Sequence, residues 1–148
     1  ELGPKEGLAL INGTQAMTAD AALVVDRATN LAKVADIAGA FSVQSLLGSA
    51  RPFDARIHEV RPHRGQILSA HNMRLLTEDS EIIRSHKDCG KVQDPYSLRC
   101  IPQVHGAVLE SYKKMSNTLK IEINSAIFCL LALISQLNPY EIIYKKPH

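Results

Sequence analysis

Residues 101–134, IPQVHGAVLESYKKMSNTLKIEINSAIFCLLALI, decide the fold that this sequence predicts. Apolar side chains recur there every three or four residues, at Val104, Val108, Tyr112, Met115, Leu119, Ile123, Ile127, Leu130 and Ile134. That spacing places them along one face of an α-helix, and Pro102 suits the first turn. We expect one long C-terminal helix of about 30 residues, roughly 45 Å in length, that continues to about residue 136.

The shorter helices of the same chain cannot cover so long an apolar face. Patterns elsewhere predict helices over about 16–38, 65–76 and 80–86, with Gly39 as a stop and Ser42 as the cap of a short helix to Leu47. The first ten residues and residues 48–66 are predicted to be loops. No segment alternates with the period of a strand. The fold class is therefore all-α, part of an elongated helical bundle that other segments or other subunits complete.

The composition is that of an ordinary globular protein, with 148 residues, 45% hydrophobic, 22% charged and a formal charge of +2. Lys and Arg are scattered among Asp and Glu, so we expect no nucleic-acid partner. The longest uninterrupted apolar run, residues 126–134, is shorter than the about 20 residues of a membrane span, so we expect no membrane segment.

Cysteine usage and the first residues indicate the cellular context. Cys89, Cys100 and Cys129 form no C-x-x-C motif, and an odd number without a signal peptide predicts free thiols in a reducing cytoplasm. The chain begins ELGPKEG, without an initiating Met, and we expect it to be a piece of a longer protein.

The segment VQDPYSLRC, residues 92–100, carries three polar side chains at intervals of three: Gln93, Tyr96 and Arg99. In a helical turn, such positions lie on one side. Together they offer a guanidinium fork for a carboxylate, a hydroxyl and an amide, a set that suits a small zwitterion such as an amino acid. In the alternative interpretation Tyr96 packs, Arg99 pairs with an acid such as Asp94, and Gln93 is solvated.

Two other segments contain candidate site residues. In LINGTQAMTA, residues 10–19, Asn12 and Gly13 predict a tight turn that aims the Asn12 amide into a cleft, or simply the start of a helix capped at Thr14. His58 and His63 lie five apart in a Pro-containing segment without a cysteine partner. This spacing is a poor match to a zinc site, so we expect no metal.

Three longer strings carry a resemblance to a known family: GPKEGLALINGTQ (3–15), PFDARIHEVRPHRGQ (52–66) and HKDCGKVQDPYSLRCIPQVHGA (86–107). In this order and with these separations they resemble the histidine ammonia-lyases, over nearly everything from residue 3 to about residue 126. The wider family includes phenylalanine and tyrosine ammonia-lyases and aminomutases. The resemblance implies a helical bundle of the ammonia-lyase/fumarase-like type.

The resemblance also implies an activity. These enzymes eliminate ammonia from an amino acid, and the histidine enzymes convert L-histidine to trans-urocanate. They use an electrophilic 4-methylidene-imidazol-5-one that forms from an Ala-Ser-Gly tripeptide of the enzyme's own backbone. By resemblance, Arg99 binds the substrate carboxylate and Asn12 contacts the electrophile or the substrate amine. Gln93 and Tyr96 form hydrogen bonds around the reacting centre, where Tyr96 tunes the electrophile or relays a proton.

The resemblance further implies a homo-oligomer, because the family shares each site between the subunits of a helical tetramer. The missing remainder of the enzyme is the other expected partner. No Ala-Ser-Gly occurs in the 148 residues, so the isolated chain carries no precursor of the electrophile and is expected to be inactive. A non-catalytic helical interaction module, or a segment of a tyrosine or phenylalanine ammonia-lyase, are the alternatives that stay open.

The C-terminal residues depart from the family pattern. The family continues EINS with a D-N-P turn, whereas residues 122–148 read EINSAIFCLLALISQLNPYEIIYKKPH. We interpret residues 1–126 as a segment of the ammonia-lyase helical core and residues 127–148 as a divergent tail produced by a shifted reading frame. The adjacent frame of the coding DNA should then restore a D-N-P continuation.

Overall fold

α-Helices dominate the part of the chain that the structure describes. The structure is a computed structural model, and it describes residues 2–4 and 6–125. Its elements are α1 Glu6–Asn12, α2 Gln15–Ser45, a 3-10 turn Arg51–Phe53, α3 Ala55–Glu59, α4 Arg64–Thr77, α5 Glu81–Ser85, α6 Tyr96–Arg99 and α7 Ile101–Ile123. No strand occurs within these residues, which confirms the all-α prediction. The predicted tail, residues 127–148, and the continuation of the last helix to residue 136 lie outside the described residues.

The chain divides into two compact units. Of the described residues, the first unit contains those up to Leu23 and those of 117–125, and the second unit is Val24–Ser116. In the first unit, the hydroxyl of Thr14 donates a hydrogen bond of 3.4 Å to Oε1 of Glu122. The core, the buried polar groups and the pocket described below all belong to the second unit.

α2 is one continuous helix of 31 residues, so the predicted stop at Gly39 is wrong. A Cβ built on Gly39 would lie 3.2 Å from Cδ1 of Ile101 and 3.7 Å from Sδ of Met73. The glycine therefore reduces side-chain volume where α2 meets other helices, and does not end the helix. Ser42, predicted to cap a new helix, also lies within α2, where its hydroxyl donates to the carbonyl oxygen of Ala38.

Two segments that were predicted to be loops contain short helices. Glu6–Asn12 forms α1, and residues 48–66 include the 3-10 turn and α3. Asp54 caps α3, because its carboxylate accepts a hydrogen bond of 3.0 Å from the backbone N–H of Arg56. The Arg56 guanidinium donates to the same carboxylate, and this side-chain bond, with the backbone bond, lowers the pKa of Asp54 from 3.8 to about 2.

α7 is Ile101–Ile123, with 23 residues. The two residues after it bond back to the last turn. The Asn124 amide donates to the carbonyl oxygen of Lys120 at 2.7 Å, and the Ser125 hydroxyl donates to that of Ile121 at 2.6 Å. Such side chains compete with the backbone for its partners and favour a helix end.

The core of the second unit joins α2, the 3-10 turn, α4, α6 and α7. Its buried residues are Ala40, Val43, Phe53, Met73, Leu98 and Ile101, each at most 8% exposed. Full burial of a large apolar side chain stabilises the fold by about 2 kcal/mol. Leu98 belongs to the four-residue helix α6, so its burial fixes that short helix on the core.

α4 and α7 cross at a pair of glycines whose backbones touch. A Cβ on Gly65 would lie 2.8 Å from the carbonyl carbon of Gly106, and a Cβ on Gly106 would lie 2.6 Å from the carbonyl carbon of Gly65. The backbone N–H of Gly65 also donates a hydrogen bond of 2.9 Å to Oε1 of Glu110 on α7. A side chain at either glycine would force the two helices apart.

A buried aspartate connects three helices. Asp36 of α2 is 2% exposed. Its carboxylate accepts hydrogen bonds from the Ser69 hydroxyl and the Asn72 amide of α4 and from a ring nitrogen of His105 of α7, each 2.8 Å long. A buried carboxylate destabilises the fold when it lacks partners. These bonds therefore favour the arrangement in which α4 and α7 both reach Asp36 of α2.

Much of α2 is apolar and exposed. Val24, Leu31, Val34 and Phe41 recur at helical spacing and are each more than half exposed. By length and composition, residues Glu6–Ser45 could cross a membrane, although core helices of soluble proteins meet the same criterion. The expectation based on uninterrupted apolar runs overlooked this stretch, because isolated charged residues divide it.

Candidate functional site

Gln93, Tyr96 and Arg99 line one pocket of the second unit. The pocket has a volume of about 420 Å³, and its wall is formed by the turn after α2, the 3-10 turn, one residue of α3 and the chain from His86 to the start of α7. The structure therefore brings these three predicted site residues together. Their roles stay predictions.

Gln93 does not share a helical turn with the other two residues, so that part of the sequence reasoning is wrong. The helix α6 contains only Tyr96–Arg99, and Pro95 precedes it with a ψ of 144°. A proline disfavours the helical conformation in the residue before it, so the helix cannot extend back through Asp94 to Gln93. Gln93 reaches the pocket from a loop, whereas Tyr96 and Arg99 reach it from one turn of helix.

Two contacts hold the Arg99 side chain. Its Nε donates a hydrogen bond of 2.9 Å to the backbone carbonyl oxygen of Asp94. Its guanidinium carbon lies 5.5 Å from the centre of the Tyr96 ring, within the range of a cation–π interaction. Neither terminal nitrogen donates a hydrogen bond to another residue of the described chain, so both can bind a carboxylate as a fork.

Asp94 has a part in the site that sequence reasoning missed. The alternative interpretation paired its carboxylate with Arg99, but the structure shows Oδ2 accepting a hydrogen bond of 2.7 Å from the backbone N–H of Ser49. Asp94 is 8% exposed. The dipeptide Asp94–Pro95 predicts a turn at this position, but it does not identify the partner of the carboxylate, which lies 45 positions away.

The pocket wall carries an excess of positive charge. Besides Arg99, it includes Arg51, Lys87 and Lys91, against the carboxylate of Asp94. Arg51 also donates to the backbone carbonyl oxygen of Lys87, and Lys91 to a backbone carbonyl just after α2, both at 3.4 Å. A wall with this charge favours an anionic ligand.

Two thiols and an amide complete the wall. Cys89 is exposed and Cys100 is half-buried, and both are free, as predicted; Cys129 lies outside the described residues. The side-chain oxygen of Gln103 is buried and accepts no hydrogen bond within the described chain. Gln103 thus lines the same pocket with its side-chain oxygen buried.

Asn12 belongs to the first unit, where it ends α1. Its predicted contact with the substrate amine or the electrophile therefore stays a prediction. The expected break before the long helix is present, because α2 begins at Gln15. Thr14 precedes it, and its backbone carbonyl oxygen accepts a hydrogen bond of 2.8 Å from the N–H of Thr18.

His58 is a hydrogen-bonded core residue. It is 1% exposed. Its Nε2 lies 3.0 Å from the carbonyl oxygen of Pro52, and its Nδ1 lies 2.9 Å from the amide nitrogen of Gln66. Both ring nitrogens of His58 are therefore occupied by hydrogen-bond partners. Within residues 2–4 and 6–125, no group of three or more His, Cys, Asp or Glu side chains could hold a metal ion.

Comparison with known proteins settles the family. A family model described as aromatic amino acid lyase matches residues 1–127. The chain belongs to the aromatic amino acid lyase family. Among curated members of this family, the histidine ammonia-lyase of Sorangium cellulosum (strain So ce56) is 57% identical over 125 residues. The histidine ammonia-lyases of Gloeobacter violaceus and Caenorhabditis elegans are 56% identical over 124 residues and 51% identical over 130 residues.

Aromatic amino acid lyases are much longer than this chain. The alignments cover 84% of the chain but only 24% of the Sorangium protein, and 85% of the chain but 19% of the Caenorhabditis protein. The chain therefore spans about a quarter or less of the curated relatives that it matches.

Two solved structures of the family share the fold of this chain. A tyrosine aminomutase from Streptomyces globisporus matches with a TM-score of 0.74 at 43% sequence identity. A phenylalanine aminomutase from Pantoea agglomerans matches with a TM-score of 0.74 at 33% identity. Each match covers 85% of this chain and 28% of the other chain. They confirm the predicted bundle of the ammonia-lyase type.

Proposed function

We propose that the chain is a segment of a histidine ammonia-lyase and that its pocket binds the carboxylate of L-histidine. The observation that carries the proposal is the state of Arg99, whose Nε is held by Asp94 while both terminal nitrogens make no bond within the described chain. The relatives named histidine ammonia-lyase, at 51 to 57% identity, support histidine over the substrates of the aminomutases, at 43 and 33%.

The remaining site residues have roles that follow from their chemistry. Tyr96 is 71% exposed, so its hydroxyl is available to hold or move a proton at the reacting carbon. The Gln93 amide can donate to and accept from the ligand. Asn12 contacts the substrate amine or the electrophile.

The donors of the pocket suit the group that the family uses. Hydroxyl, amide and guanidinium donors fit the carbonyl oxygen of a methylidene-imidazolone and the carboxylate of an amino acid. That group supplies an electrophile when it is present. The 148 residues contain no Ala-Ser-Gly, so it must come from another segment, and the chain alone forms no urocanate.

Complementation tests this proposal. The chain is mixed with a separately expressed upstream segment that contains Ala-Ser-Gly, and urocanate is followed by its ultraviolet absorption. We expect turnover of L-histidine by the mixture and none by either part. Arg99→Ala should lower turnover by at least about a hundredfold, because a bidentate charge-assisted contact is lost.

Asp88→Ala is the matched control, since it removes an exposed charge from the same loop. Urocanate from the chain alone would contradict the proposed division of the site, and full turnover with Arg99→Ala would contradict the role of Arg99. L-Tyrosine and L-phenylalanine are assayed in parallel. If either is consumed faster than L-histidine, the chain is instead a segment of an enzyme for that substrate.

We also infer that the exposed apolar face of α2 packs against other subunits or other segments of the enzyme. Its row Val24, Leu31, Val34 and Phe41 is too apolar and too exposed for a surface left in water. Light scattering after gel filtration should show an oligomer that Phe41→Glu dissociates and Lys33→Glu leaves intact. If the chain sediments with lipid vesicles and does not form an oligomer, the result would favour a membrane-bound face.

A non-catalytic helical module is the second candidate, and the same apolar face favours it. An oligomer that binds no L-histidine and restores no turnover to the upstream segment would establish that function. For either candidate we propose a cytoplasmic location, on the free thiols of Cys89 and Cys100.

A further inference from the structure

The loop that carries Gln93 is attached to the turn after α2 at one buried point. The Asp94 carboxylate, 8% exposed, accepts the 2.7 Å hydrogen bond from the Ser49 N–H. The other two bonds between these segments, from Arg51 and from Lys91, are 3.4 Å long and exposed. A short charge-assisted bond is the stronger kind, so Asp94 is the principal attachment of the loop.

The same residue also holds the substrate-binding cation. The Asp94 backbone carbonyl accepts the 2.9 Å bond from Nε of Arg99. One residue therefore connects the backbone of the turn after α2 to the guanidinium of α6. Because both groups belong to Asp94, a fixed side-chain carboxylate restricts the direction of the backbone carbonyl.

The turn that supplies the donor has an unusual backbone. Leu47 has a φ of 54°, in the left-handed region that residues other than glycine rarely adopt. At Gly48, an ideal Cβ would lie 3.1 Å from the carbonyl oxygen of Val43 and 3.6 Å from Cγ of Asp94. A strained and crowded turn persists only where its surroundings hold it, and here it brings the Ser49 N–H to Asp94.

We propose that Asp94 is a positioning residue for substrate binding. Its carboxylate fixes the backbone carbonyl that orients Arg99, and the two terminal nitrogens of Arg99 are thereby presented to a carboxylate ligand. Asp94 acts through Arg99. The identity of the ligand rests on the proposed function, whereas the orientation of Arg99 does not.

Nuclear magnetic resonance of the ligand-free 148-residue chain tests the orientation. Hydrogen exchange of the Arg99 Nε–H is compared in the unmodified chain, Asp94→Ala, Asp94→Asn and the control Asp88→Ala. We expect exchange about tenfold faster in Asp94→Ala, the effect of losing one hydrogen bond. Asp94→Asn should stay near the unmodified chain, because its amide oxygen still accepts from Ser49, and Asp88→Ala should not differ.

Titration with L-histidine tests the consequence. Asp94→Ala should weaken binding about tenfold, while Asp94→Asn retains most of it. If the unmodified chain binds no L-histidine but the exchange pattern holds, the ligand assignment fails and the positioning role stands. Equal protection of the Arg99 Nε–H in Asp94→Ala and the unmodified chain overturns the positioning role, even if L-histidine binds.

Circular dichroism establishes that the variants are folded. If Asp94→Ala loses its helical signal, the backbone amide between Gly48 and Ser49 is replaced by an ester. This change removes only the N–H donor of Ser49, and Arg99 Nε–H exchange is then compared with that of the unmodified chain. Faster Arg99 exchange in the ester analogue supports the proposal, and unchanged exchange overturns it.

Discussion

Gly106→Ala tests whether α4 and α7 cross in backbone contact. The added Cβ would lie 2.5 Å from Cα of Gln66, whereas ordinary contact begins near 3.4 Å. The helices must therefore separate by roughly 1 Å, because the neighbouring atoms of Gly65 and Gln66 are backbone atoms and cannot rotate away as a side chain could. Overpacking of this kind costs about 3 kcal/mol. Alanine recovers about 1 kcal/mol of helix propensity, which leaves a net loss of about 2 kcal/mol in the free energy of unfolding.

Urea unfolding followed by circular dichroism measures this loss. With a slope of about 1.5 kcal/mol per molar urea, the midpoint should fall by roughly 1.3 M. Gly90→Ala is the matched control, because a Cβ at Gly90 meets nothing within 4 Å, and it should leave the midpoint unchanged or slightly higher. If Gly106→Ala unfolds at the same urea concentration as the original chain, the helices do not touch at this glycine and the reasoning is refuted.

Three further predictions concern single polar groups. Asp36→Ala should lower the free energy of unfolding by about 3 kcal/mol, because the buried Ser69 hydroxyl and the half-buried Asn72 amide and His105 ring lose their acceptor; a urea midpoint equal to that of the original chain would contradict this. His58→Phe should cost about 2 kcal/mol in the same assay, since the buried Gln66 amide and the half-buried Pro52 carbonyl lose their partner. A carbon-13 titration should give Asp54 a pKa of about 2 that rises toward 3.8 in Arg56→Gln. The lowered pKa means that the stability from this cap is complete above pH 3.8 and is lost as pH falls through about 2.

The sequence predicts well which segments are helical, because an apolar period of 3.6 residues is a local property of the chain. The row from Val104 to Leu119 predicts α7, which is present. Gly39 misleads because a glycine can end a helix or admit a neighbouring side chain, and only the position of Ile101 distinguishes the two. At the end of α7, the Asn124 and Ser125 side chains bond to the preceding turn, and the apolar pattern carries no sign of these bonds.

The candidate site is predictable in its residue types and less so in its geometry. Spacing alone brings Tyr96 and Arg99 together, because both lie on one turn of helix. The attachment of Asp94 to Ser49 joins residues 45 positions apart, and no local pattern encodes such a contact. The cluster around Asp36 is similar, since its partner His105 is 69 positions away. Buried polar contacts of this kind become visible only when the helices are packed.

Leu98 connects the pocket to the hydrophobic core. It stands between Tyr96 and Arg99 in the sequence, yet its side chain is buried with Phe53 and Met73. A chain that loses this packing also loses the arrangement that recognises its ligand, so ligand affinity and resistance to heat should rise and fall together. Melting temperature in the presence of small carboxylates is then a direct way to rank what the pocket prefers.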